Sequence, residues 1–175
     1  MFSDPLKNIE QCGIQAGAEI ADFGSGSGHY SIAASRALIS TGRVYAIDIQ
    51  QELLSKLKNQ AVREGLYNIE VIWGNIEKIS GTKLRDNSVD LVLLSNILFQ
   101  LDDRETMVKE VKRVLRSSGK VMVVDWSDSF GGIGPKPEAV VRKDVAKALF
   151  EKSGFHTDKE FTAGAHHYGF IFKKL

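Results

Sequence analysis

Three glycines at alternate positions, Gly24, Gly26 and Gly28, follow directly on an apolar run that ends in an acid, Ile20-Ala-Asp22-Phe. Strand-forming residues lead in and a helical pattern from Tyr30 to Leu38 leads out, so the glycines occupy a strand-to-helix turn. Without a Cβ such a turn can bend sharply and let a ligand approach the main chain at the start of a helix. That is the chemistry of a nucleotide-binding loop. A second acid closes the next apolar run, Arg43-Val-Tyr-Ala-Ile-Asp48, one strand-helix-strand unit later. A carboxylate there can accept hydrogen bonds from both hydroxyls of a ribose. The spacing departs from the dinucleotide fingerprint G-x-G-x-x-G, because His29 stands at the third glycine position.

Asp22-x-Gly24-x-Gly26-x-Gly28 followed by Asp48 resembles the first two motifs of the class I methyltransferases that use S-adenosylmethionine (SAM). Trp73-Gly-Asn-Ile-Glu77 is similar to the family's adenine-contacting turn, and Arg85 to Ser95 to the approach to its fourth strand. Arg113 to Asp125 is similar to the family's helix, glycine turn and fifth strand. The five blocks keep the family's order from about residue 17 to 173. The resemblance implies SAM as cofactor, held by Asp22, Gly24, Ser25, Gly26, Gly28, Asp48, Ile49, Asn75, Ile76 and Ser95. The glycines would lie under its methionine half with Asp22 near its amino group, Asp48 would take the ribose, and Ile49 would pack on the adenine. Asn75 stands where an aspartate is common in the family, and its amide oxygen can still accept from an adenine amino group.

Methyl transfer from a sulfonium leaves a neutral product, so the protein chiefly positions the acceptor, and a general base matters only for an acceptor that is protonated. Candidates at the strand tips are His29, Ser95, Asn96, Asp125 and Trp126. Four of these have a structural alternative: Ser95 and Asn96 can cap the next segment, His29 can order the loop, and Trp126 can serve as sheet-edge packing. Asp48 can likewise cap the helix after its strand, and Asp22 can serve only to fix the loop by accepting backbone amides. His166 and His167 are adjacent on a strand, point to opposite faces, and read as surface or core-edge residues rather than a metal pair. No metal is expected.

The fourth-strand tip reads Ser-Asn-Ile-Leu, unlike the Asn-Pro-Pro-Tyr type of adenine-N6 or glutamine methyltransferases. The later blocks look most like small-molecule enzymes, including those of quinone biosynthesis, so a small-molecule acceptor is the main expectation. The stretch before the first strand offers only Asp4–Gln15 as a lid, which leaves a site that is open or closed by a partner chain. An RNA or protein acceptor, a non-catalytic SAM-binding module and a homo-oligomer therefore stay open. A nicotinamide-dependent oxidoreductase would need the third glycine and a second half-domain.

The elements that must position these residues follow from patterning. Runs at Glu19–Phe23, Val44–Asp48, Ile69–Trp73, Val89–Leu94 and Lys120–Asp125 alternate with helical stretches, the mark of a parallel sheet covered on both faces. Leu54, Leu57 and Ala61 make one helix face ended by Gly65. Met107, Val108, Val111, Val114 and Leu115 make another, capped by Asp102 or Asp103. Pro137 opens a further helix through Leu149 that Gly154 closes. Phe155–Ala163 and His166–Lys173 are separated by too few residues for a crossover and must pair antiparallel. By resemblance this gives a Rossmann-like seven-stranded α/β sheet of order 3-2-1-4-5-7-6 with the last strand antiparallel. The 175 residues read as one domain, 1–175, with a short N-terminal cap segment at 1–16 and a mobile glycine-rich loop at 127–137.

A net charge of +1 argues against a strongly electrostatic partner such as nucleic acid. The single cysteine, Cys12, excludes an internal disulfide and a multi-cysteine zinc site. No secretory signal and no membrane-spanning run is legible, so a cytoplasmic protein is expected.

Overall fold

The computed structural model describes residues 3–39 and 41–175. Its centre is a seven-stranded sheet in the order β3-β2-β1-β4-β5-β7-β6. The strands are β1 (Glu19–Phe23), β2 (Arg43–Asp48), β3 (Ile69–Trp73), β4 (Val89–Ser95), β5 (Leu115–Trp126), β6 (Phe155–Gly164) and β7 (His167–Lys174). The first five are parallel, and β7 runs antiparallel to both β5 and β6. The expected order and the reversed last strand are therefore both present.

Helices cover both faces. The helices α1 (Pro5–Glu10), α2 (His29–Ala37) and α3 (Gln51–Arg63) lie on one side, where Ile9, Tyr30, Ala33 and Leu38 pack on Ile20, Val44, Leu91 and Met122. Leu57 of α3 joins Ala46 on the same side. The helices α4 (Arg104–Val114) and α5 (Lys143–Glu151) lie on the other, where Met107, Val111 and Phe150 meet Ala21, Val92, Val121 and Phe172. Central strands buried from both sides explain why the sequence shows continuous apolar runs rather than alternation. The N-terminal cap segment forms α1, whose Asp4 caps it by accepting from the Lys7 amide. Residues 1 and 2 of that segment lie outside the described residues.

Two elements differ from their sequence reading. No glycine turn separates α4 from β5: the chain leaves α4 at Val114 and is already in strand at Leu115. Ser118, in the left-handed region at φ 62°, lies in the stretch where the β4–β5 register shifts, so Ser117–Gly119 is an irregular part of a long strand. The Pro137 helix is also shorter than expected. Pro137–Ala139 makes one 3-10 turn, Val140 leaves the helical region at ψ 122°, and α5 begins only at Lys143. Tertiary contact accounts for the break: Val141 is buried, and its carbonyl accepts from the Tyr168 hydroxyl at 2.9 Å.

Asp103 caps α4 by accepting from the Thr106 amide, and its own amide donates to Glu77 after β3. The fully buried Glu110 accepts from the Ser80 amide, the Thr82 hydroxyl and Arg113. These bonds tie the turn that follows β3 to α4 and fix one wall of the site.

Candidate cofactor and acceptor site

All the loops that leave the carboxyl ends of β1, β2, β3 and β4 converge where strand order reverses, between β1 and β4. Open α/β sheets bind ligands at that position. The glycine loop spends its amides within the protein. Gly24 and Ser25 both donate to the Ile47 carbonyl, Gly26 donates to Asp48 Oδ2 at 2.9 Å, and Gly28 donates to the Ser25 carbonyl. A loop whose amides are committed in this way is poorly suited to cradle a pyrophosphate. What the site offers is an acceptor. Asp22 is completely buried, its Oδ2 accepts from the Ser31 hydroxyl at 2.6 Å, and its Oδ1 has no hydrogen-bond partner among the described residues. Burial pushes the Asp22 carboxyl up to about 6, opposed by the Ser31 hydrogen bond and helped by the nearby Asp48 charge. A cationic amino group is the ligand feature that satisfies such an oxygen.

The three glycines have different jobs. A Cβ on Gly24 would strike the Ile97 side chain at 2.7 Å, and one on Gly28 would strike Leu57 at 2.3 Å, so these two let elements pack. Gly26 has φ 53°, and a Cβ there meets nothing closer than 4.0 Å. It borders two cavities.

The first cavity, about 150 Å³, is lined by Gly24, Gly26, Asp48, Ile49, Asn75 and Ile76 among others. Asp48 is tied on both oxygens, to Gly26 and to the Gln50 amide at 2.8 Å, so it holds the loop and opens α3 while each oxygen keeps a further lone pair. Beside it Ile49 is 64% exposed, an apolar surface available to a flat ring. The Asn75 oxygen accepts from the Glu77 amide, which fixes the turn after β3. Of the remaining residues expected to hold the cofactor, Ser25 and Ser95 line the second cavity instead. Asp22 and Gly28 line neither: Asp22 lies behind the loop, and Gly28 is the N-cap of α2.

The second cavity, about 420 Å³, shares Gly24, Gly26 and Gln100 with the first and extends toward β5 and β7. Of the residues expected to meet an acceptor, His29, Ser95, Asn96 and Trp126 line it. Asn96 sits in the left-handed region at φ 53°, held by its amide on the Val124 carbonyl and by Gln100, which donates to the Asn96 carbonyl. Its side-chain oxygen is buried without a hydrogen-bond partner among the described residues. His29 is exposed at the rim, its Nδ1 3.2 Å from the Ser27 hydroxyl. Asp125 is placed differently. It is 1% exposed and does not line the cavity, and its carboxylate accepts from the amides of Ile97, Leu98 and Trp126. Burial pushes this carboxyl up to about 6 against those three hydrogen bonds, and its visible work is to fix the turn after β4.

Sequence reading missed Tyr30, Gln100 and His167, which also line the second cavity, as does Ile133 of the glycine-rich loop. The signal for His167 lay in the antiparallel hairpin: once β7 pairs with β5, His167 falls opposite Trp126. The glycine-rich loop after β5 is anchored by the Ser127 amide on the His166 carbonyl and by a Phe130–Ile133 bridge. Among the described residues no cluster of metal-ligating side chains occurs, and no helix is long and apolar enough to cross a membrane.

These features fit SAM in two respects, an unobstructed glycine between the two cavities and an acid beside an exposed apolar residue for an adenosine, while the orphaned carboxylate oxygen of Asp22 lies behind the glycine loop.

Comparison with known proteins gives the same family. Residues 21–123 match the model of a methyltransferase domain. The chain is 32% identical over 120 residues to the ubiquinone/menaquinone biosynthesis C-methyltransferase UbiE of Hahella chejuensis, covering 68% of this chain and 47% of that protein. It is 29% identical over 119 residues to the demethylmenaquinone methyltransferase of Oceanobacillus iheyensis, covering 68% and 49%. The chain thus spans about half the length of these curated relatives. Among solved structures, a SAM dependent methyltransferase from Aquifex aeolicus superposes with a TM-score of 0.90 at 27% identity, covering 99% of this chain and 91% of that one.

Proposed function

Since the chain belongs to the family of methyltransferase domains, we propose that it transfers a methyl group from SAM to a small-molecule acceptor in the cytoplasm. A carbon atom of a quinone-like ring is the acceptor that the names of its relatives suggest. The observation that carries this reading is the pair of cavities meeting at Gly24 and Gly26, one walled by Asp48 and Ile49, the other by Asn96 and Trp126.

When bound, the cofactor supplies an electrophilic methyl on a sulfonium. The protein supplies position and environment. Asp22 would hold the amino group, with Ser31 keeping one carboxylate oxygen in place so that the other stays directed. Asp48 would hold the ribose, and Ile49, Asn75 and Ile76 would hold the adenine, as the lining of the smaller cavity supports. On the acceptor side Ser95 and Asn96 bring polar groups from the tip of β4, and Trp126 brings an aromatic wall from the tip of β5. Asp125 acts on this arrangement indirectly by pinning the turn at Ile97 and Leu98.

The test has two stages. Calorimetry should detect binding of S-adenosylhomocysteine and no binding of NAD. Transfer of label from methyl-labelled SAM should then appear in a small-molecule fraction rather than in RNA or protein. Binding of NAD without S-adenosylhomocysteine would overturn the reading, and label confined to RNA or protein would overturn the choice of acceptor.

A further inference from the structure

The wall of the acceptor cavity nearest the C-terminal hairpin contains a second histidine besides the one at the rim. His167 begins β7, is 4% exposed and lines the cavity. Antiparallel register sets it opposite Trp126, with ring centroids 4.3 Å apart and planes inclined at 41°. The indole is confined by Gly134 as well: a Cβ at that residue would come within 2.6 Å of the ring, and its φ of 80° already favours glycine. The pair is therefore held in place from the loop and from the sheet.

The preceding histidine does different work. His166 Nδ1 lies 2.8 Å from Asp128 Oδ1, and its ring stacks on Phe130 at 4.1 Å, so it secures the loop. His166 lies in the turn before β7, not on the strand as its sequence suggested, so one histidine holds the loop while the next, the first residue of the strand, reaches the cavity.

The geometry points to His167 as the residue that selects an acceptor oxygen, with Trp126 as the flat surface beside it. An imidazole can accept from a hydroxyl or donate to a carbonyl, and an indole next to it favours an aromatic ring, so the class of ligand is an oxygen-substituted aromatic ring. His29 is less suited, because it is exposed at the rim and turned onto Ser27. The inference rests on the methyl-transfer reading and deepens its acceptor side.

The test compares 2-naphthol with naphthalene as probes, by equilibrium binding and by the imidazole nitrogen signals of the histidines. Wild type should bind 2-naphthol more tightly, with the His167 signals shifting on its addition. His167→Phe should lose that preference by roughly three- to tenfold, the worth of one hydrogen bond, while His167→Gln, which keeps a hydrogen-bonding group, should retain part of it. Thermal melts check that both variants fold; should His167→Phe not fold, the His167 signals and His167→Gln decide. An unchanged preference in folded His167→Phe, no shift of the His167 signals, or no preference in wild type would overturn the inference. S-adenosylhomocysteine is titrated into the same samples: if it binds wild type while the preference is absent, only the acceptor inference fails, and if it does not bind, the methyl-transfer reading itself fails.

Discussion

Replacing Asp22 by asparagine separates the energetic cost of the buried acid from its use. The carboxyl rises from 3.8 to about 6 on folding, chiefly through burial. Below pH 3.8 both folded and unfolded chains carry the proton. Between that value and about 6 the folded chain binds more protons than the unfolded one, so this group's contribution to stability falls as pH rises and is fully lost above the upper value. A rise of that size corresponds to about 3 kcal/mol. The neutral amide of the variant would avoid that loss and could still accept from Ser31. Its N–H₂ group would, however, take the place of an oxygen that has no partner among the described residues, costing about 1–3 kcal/mol. Asp22→Asn should therefore be less stable than wild type at pH 4.5 and equal or more stable at pH 7.5, with the difference swinging by about 2 kcal/mol between these two values, or about 4–8 °C in Tm. Differential scanning calorimetry of the ligand-free protein across this range measures it. In the same variant, affinity for S-adenosylhomocysteine should fall by about tenfold or more, because a hydrogen bond to a charged acceptor is lost. Parallel pH profiles for the two proteins would refute the burial argument. A crossing of the profiles with unchanged ligand affinity would make Asp22 a structural acid only.

Gly26→Ala should weaken S-adenosylhomocysteine binding while lowering Tm only modestly, since its Cβ meets nothing closer than 4.0 Å, whereas Gly28→Ala should lower Tm markedly because its Cβ collides with Leu57; calorimetric titration and melting on both variants check this, and the opposite pattern would reverse the roles. Asp48→Ala releases the amides of Gly26 and Gln50 together, so it should lose about 1–3 kcal/mol of stability as well as affinity, measured by urea denaturation and titration. Loss of stability with full affinity would leave Asp48 only its loop-holding role. Gly134→Ala should disturb Trp126 and reduce 2-naphthol binding without changing S-adenosylhomocysteine affinity, and equal losses for both ligands would mean that the loop also supports the cofactor side.

The sequence by itself determined most element types and the glycine loop with the acid of the second strand. Apolar runs closed by Asp22 and Asp48, the alternating glycines and the helical stripe of Met107 to Val114 are local signals, set by residue type and period and readable without neighbours. The short connection between the last two strands similarly leaves only antiparallel pairing. Tertiary structure decided the rest, because the contacts concerned join residues far apart in the chain. The glycines look equivalent in sequence, yet Leu57 and Ile97 make two of them packing positions and leave Gly26 unobstructed. Asp125 looked available for chemistry until the turn after β4 brought the amides of Ile97 and Leu98 onto it. The 3-10 turn at Pro137 ends where Val141 is drawn toward Tyr168. His167 reaches the second cavity only because β7 pairs beside β5, a register that the residues around the histidine do not encode by themselves.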